Sequence, residues 1–195
     1  VVVGHWPVTL YRLNIASAAP LLLPERHILS IDGGCQLKWD GQLNALILPA
    51  GAHTDFYYAA WDGLPLATAL DDQAPSTHSI NIRWSENPVE VLEQGEEFCR
   101  CRHLATGAVL DILTEYLYER DGAVRCEDST DYRLPVAAGD VLTVVRETSR
   151  GILAKKDGIT GWYTGRIART GAEKPAVVQK IPPFYGKIID KRFSD

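Results

Sequence analysis

Methionine is absent from this chain, and phenylalanine and cysteine are scarce, with four of each among 195 residues. No apolar run is long enough to cross a bilayer, and no charged, apolar and small-residue succession marks a signal peptide. Positive charge is not in excess: 20 Lys and Arg face 25 Asp and Glu, giving a net charge of −5. That balance excludes nucleic-acid binding through bulk electrostatics. Four cysteines without a framework pattern do not make a disulfide-rich secreted scaffold, so a cytoplasmic location is expected. A phosphate-binding glycine loop, a dinucleotide fingerprint and a nucleophile triad are also missing, and Gly33-Gly34 does not supply one. What remains is an ordinary folded composition, 46% hydrophobic and 23% charged, of a length that suits one large or two small domains.

The chain is organised around its first eight residues, Val1-Val2-Val3-Gly4-His5-Trp6-Pro7-Val8. Three β-branched residues in a row predict a buried strand. Gly4 ends it, and His5 stands at the strand's exit, the end at which open α/β sheets hold their ligands. His5 has two readings on spacing alone: a loop histidine that is simply hydrogen-bonded, or a metal ligand. Two further blocks follow. Ile28-Leu29-Ser30-Ile31 predicts a strand, and Asp32-Gly33-Gly34-Cys35 a sharp turn after it. Trp39-Asp40-Gly41-Gln42 predicts a hairpin turn, with residues 43–48 as its second strand. Asp32 either hydrogen-bonds the turn backbone or supports a metal site from behind.

Together these blocks resemble the C-terminal end of the calcineurin-like metallophosphoesterases, in the branch related to serine/threonine protein phosphatases. That family ends in Gly-His-Thr-Pro-Val, Ile-Asp-x-Gly-Cys and Gly-x-Leu-Thr-Ala-Leu. Gly4, His5, Pro7 and Val8 match the first block, Ile31, Asp32, Gly34 and Cys35 the second, and Gly41, Leu43, Ala45 and Leu46 the third. The resemblance implies a two-metal phosphoesterase, with Mn or Fe as the metals, that hydrolyses a phosphorylated substrate by a metal-bound hydroxide. It implies that His5 is a metal ligand, and that Trp6, in place of the family's Thr, walls the pocket beside Gly4 and Asp32. The family's Asp-x-His, Gly-Asp-x-x-Asp-Arg and Gly-Asn-His motifs precede the Gly-His block and are not in this sequence. The expectation is therefore the C-terminal part of a longer protein, inactive alone and with no catalytic residue of its own.

The expected fold is α/β over residues 1–65, where the last strands of a phosphoesterase sandwich lie, and mostly β in the chain as a whole. Residues 66–78, with Asp71-Asp72 and Pro75, predict a linker. Residues 79–167 predict a β-rich domain of short strands broken by turns. Asp111 to Glu119 fits helix or strand, and the Asp121-Gly122 turn favours a hairpin. From Leu134 to Ile167 the chain resembles a bacterial SH3-like barrel, through Gly139-Asp140 and Lys156-Asp157-Gly158-Ile159-Thr160-Gly161-Trp162. This resemblance implies the alternative function, a non-catalytic module that binds a peptide or partner domain in a groove at Trp162 and Tyr163. One of those adjacent rings should face the core.

Cys99, Cys101 and His103 share one strand face, and Cys126 could join them at a zinc ion; packed, reduced thiols are the other reading. The acidic stretch Glu127-Asp128-Ser129-Thr130-Asp131 predicts a solvated loop, and His53 and His78 are expected in solvent. From Arg166 onward seven basic residues outnumber three acidic ones, and this tail (168–195) either extends or docks Phe184 or Tyr185. No membrane partner is expected.

Overall fold

The computed structural model describes residues 1–51, 55–170 and 177–186. The chain is mostly β, as expected, and its sheets are short and largely antiparallel. The helical segments among the described residues are 3-10 turns of three or four residues, such as Val8–Tyr11. No α-helix completes an α/β layer there.

The largest sheet has six antiparallel strands, in the order Ile167–Thr170, Leu66–Ala69, Val141–Thr148, Gly151–Lys156, Ile159–Tyr163 and Ala16–Ser17. Two of these strands come from outside residues 79–167. Leu66–Ala69, read as the start of a linker, pairs with Val141–Thr148 on one side and Ile167–Thr170 on the other. Ala16–Ser17, from the N-terminal part of the chain, pairs with Ile159–Tyr163. The sheet that holds residues 141–163 therefore takes strands from outside residues 79–167, and it stays open, with no closed barrel among the described residues. Its Leu142, Val144, Ile152, Ala154 and Tyr163 pack with Tyr132 and Leu134 in one buried cluster.

A second buried cluster lies under Val89–Glu93, Phe98–His103 and Val109–Leu113. Phe98–His103 alternates as its sequence predicts: Cys99, Cys101 and His103 point inward, and Arg100 and Arg102 outward. The expected hairpin also forms, with Leu117–Arg120 paired to Ala123–Cys126 across Asp121-Gly122.

The N-terminal third is built from smaller pieces. Val2–Val3 pairs parallel with Ile28–Ser30, which pairs antiparallel with Leu21–Leu23. Leu43–Ile47 pairs with Tyr57–Trp61, and Gln179–Lys180 extends that sheet. The tail therefore docks: Ile181 is buried, and Phe184 packs on the Val8, Leu21 and Leu23 cluster beneath the Arg12 guanidinium, while Tyr185 stays exposed.

Candidate functional site

The three blocks flanking His5, separate in sequence, fold onto one another. Val8 N–H donates to Asp32 O at 2.8 Å, Ile31 N–H to Val3 O at 3.0 Å, and Gln42 N–H to Gly33 O at 3.1 Å. The turn admits no side chain at two places. A Cβ on Gly33 would stand 2.2 Å from Gln42 O, and one on Gly41 would stand 2.2 Å from Gly34 O. These are backbone atoms that cannot step aside. Asp32 spends its Oδ1 on Gly34 N–H at 2.8 Å, which is the turn role. Trp39-Asp40-Gly41 is a turn but not a hairpin, because Gln42 bridges to Gly34 in parallel.

His5 leaves the parallel strand in a left-handed backbone, φ 73°, with its side chain exposed. It stands at a cavity of about 900 Å³. Gly4 lies in open space, where a Cβ would meet nothing within 4 Å, and neither it nor Asp32 lines the cavity. Trp6 does line it, and crosses Trp84 edge-on at 6.2 Å and 72°. Trp162 forms part of the wall, its Nε1–H donating to Thr130 O at 2.7 Å and its ring tilted against Phe98. Tyr163 is the core member of the pair. It is fully buried, and its hydroxyl is shared among Asp71 and Arg166 backbone atoms, so it belongs to no groove.

All five tryptophans of the chain line this cavity: Trp6, Trp39, Trp61, Trp84 and Trp162. Trp39, Trp61 and Trp84 are 73%, 62% and 54% exposed. Sequence reasoning missed the signal that groups them. The tripeptide Trp-Asp-Gly occurs twice, at 39–41 and 61–63, and each copy turns its indole out and its carboxylate in. One lysine, Lys155 of Gly151–Lys156, holds both copies. Its buried ammonium pairs with Asp62 Oδ2 at 2.9 Å and donates to Asp40 O at 3.0 Å and Gly41 O at 3.3 Å. All three of its donors are thereby used.

A second buried lysine completes the floor. Lys38 Nζ lies 3.0 Å from Asp40 Oδ1 and 2.5 Å from Asp128 Oδ2, and Thr160 Oγ1 donates to Asp40 Oδ2 at 2.6 Å. Burial opposes the charge on Lys38, but the two carboxylates outweigh it and hold its pKa above the usual lysine value. Burial likewise opposes the charge on Asp40, and Lys38, Thr160 and Lys155 together keep its pKa below the usual carboxylate value. Asp128 also accepts the Trp84 N–H at 2.7 Å, and Asp131 accepts Ile80 N–H. The acidic stretch 127–131 is thus a structural tie rather than a solvated loop.

The cysteine cluster is core. Cys99, Cys101 and Cys126 are fully buried in the second hydrophobic cluster, and burial pushes the Cys101 and Cys126 thiols up to about 11 and about 12. His103 Nε2–H donates to Glu86 O at 2.5 Å, and Nδ1 accepts from Thr106 Oγ1 at 2.9 Å, so both ring nitrogens are engaged. Among the described residues no group of three or more His, Cys, Asp or Glu is placed to hold a metal. His78 is exposed beside Thr77, and His53 lies outside the described residues.

No helix among the described residues is long and apolar enough to cross a membrane. Comparison with protein-family models, curated proteins and solved structures found no match.

Proposed function

We propose that this chain is the C-terminal part of a two-metal phosphoesterase, with His5 as one metal ligand. The observation that carries the reading is the convergence of the three resembling blocks. Gly4 to Val8, Ile31 to Cys35 and Gly41 to Leu46 meet through backbone hydrogen bonds and glycine contacts around the strand exit that presents His5. A left-handed residue at a parallel strand's end is a costly conformation for histidine, and such conformations concentrate at functional sites. His5 is a single donor, so in this reading the other ligands come from chain preceding Val1. When bound, two divalent cations would clamp the phosphate and activate the attacking water.

A surface feature supports the same reading. In the Leu43–Ile47 and Tyr57–Trp61 pair, Leu43, Ala45 and Ile47 stand opposite Trp61, Ala59 and Tyr57 on one face. The opposite face, with Leu46, Tyr58 and Ala60, packs inward against Ile181. Leu43 and Ile47 are left exposed, part of an apolar sheet face of the kind that a larger sandwich covers.

The test is metal content and p-nitrophenyl phosphate hydrolysis by the complete protein, with and without His5→Ala. Loss of about one metal equivalent and a rate fall of at least about 100-fold are expected. Unchanged metal content and rate would overturn the assignment.

A further inference from the structure

The cavity holds features that the metal reading does not use. Its volume of about 900 Å³ falls within the range of roughly 300–1,000 Å³ typical of small-molecule sites. Three of its indoles are more than half exposed, an arrangement that leaves large flat apolar plates in water. Between the plates the floor is polar, but its buried charges already have partners. Lys38 is held by Asp40 and Asp128, and Asp62 by Lys155. Such a floor offers hydrogen-bond donors and acceptors without an unpaired buried ion to anchor a charged ligand.

The wall also holds one amide that is tied down on its donor side. Asn81 lines the cavity and is 3% exposed; its Nδ2 donates to Thr9 O and Arg12 O, yet its buried Oδ1 has no partner among the described residues.

We propose that the five-tryptophan cavity is a binding site for a neutral oligosaccharide. Pyranose rings present flat C–H faces that stack on indoles, and hydroxyls around the rim that both donate and accept. An apolar ligand would strip water from Asp40 and Asp128 without replacing its hydrogen bonds. A phosphorylated or otherwise anionic ligand would meet a lining richer in carboxylates than in cations. The two Trp-Asp-Gly turns, tied to the one Lys155 ammonium, fix Trp39 and Trp61 relative to each other before any ligand arrives. The inference goes beyond the phosphoesterase reading: it concerns binding by this chain and requires no metal, so each can fail without the other.

Because every tryptophan of the chain lines the cavity, intrinsic fluorescence reports on it directly. Chitotriose, cellotriose and maltotriose are titrated into the intact chain, with tetramethylammonium chloride and a proline-rich decapeptide as comparison ligands. At least one triose is expected to shift the emission saturably, with Kd at or below about 1 mM. Trp61→Ala and Trp84→Ala, both at exposed positions, should each weaken that binding about tenfold or more, read by calorimetry, at unchanged melting temperature. No saturable response to any triose overturns the proposal, as does triose binding that survives both substitutions. A response confined to tetramethylammonium would reassign the cavity to a cation, and one confined to the peptide would reassign it to a peptide; both also overturn the proposal.

Discussion

The hydrophobic interior divides unequally along the chain. Each of the two large clusters buries ten side chains drawn from residues 67 onward, whereas the two small clusters around the N-terminal strands bury three each, one of them Ile181 from the tail. The N-terminal third compensates with other devices: glycine turns in backbone contact, and buried ion pairs that reach across the chain. Lys38 ties it to Asp128, and Lys155 ties the central sheet to Asp62 and to the Asp40 and Gly41 carbonyls. The two regions thus fail differently. Apolar burial is diffuse and tolerates volume-conserving exchange, while a buried charge network loses most of its value when one member is removed.

The largest expected effect therefore falls on Lys155. Lys155→Met leaves Asp62 buried without its cation and frees both Trp-Asp-Gly turns, and it should cost about 3–5 kcal/mol in denaturant unfolding. Adding Asp62→Asn should recover part of that loss, because the orphaned charge is then gone. A cost under about 1 kcal/mol for Lys155→Met would break the contrast between the regions.

A polar test within the large core is smaller. Tyr163→Phe removes the hydroxyl that links Asp71 and Arg166, leaves the ring packed, and should cost about 1–3 kcal/mol. Since Tyr163 does not line the cavity, tryptophan emission in the folded state should not change. A shift in emission without loss of stability would contradict its placement in the core.

The parts of the fold legible in the sequence are those set by local pattern. Alternation marked Phe98–His103 and its inward cysteines, and Asp121-Gly122 marked a hairpin. Leu66–Ala69 was illegible because Leu-Ala-Thr-Ala is short and weak in β propensity; its central place comes from partners some 75 and 100 residues downstream. The site divides the same way. His5 at a strand exit could be read from its neighbours, but Lys38 with Asp128 and Lys155 with Asp62 are long-range pairs that no local periodicity announces. The repeated Trp-Asp-Gly was visible as a string. Only the fold shows that both copies share one lysine.

The smallest expected effect is a local response to pH, and its sign follows from the two groups on the cavity floor. Asp40 has a folded pKa below its unfolded value of about 3.9, so its stabilising contribution is present above that pH and is lost as pH falls through the lower, folded value. Lys38 has a raised folded pKa, so its contribution is complete below the unfolded value of about 10.4 and is lost only as pH rises through the higher one. Between those limits the floor should be insensitive to pH. Below about pH 4, amide exchange in residues 34–42, corrected for its intrinsic pH dependence, should show loss of protection before Val141–Thr148 and Gly151–Lys156 do. The large sheet carries most of its stability in apolar contacts that acid does not touch, with carboxylate ties only at the Lys155 and Lys156 end, and the cavity floor carries it in carboxylates that acid neutralises. Simultaneous opening of both would mean that the ion pairs join the two regions into one cooperative unit, and that the contrast drawn from their interiors does not extend to how they unfold.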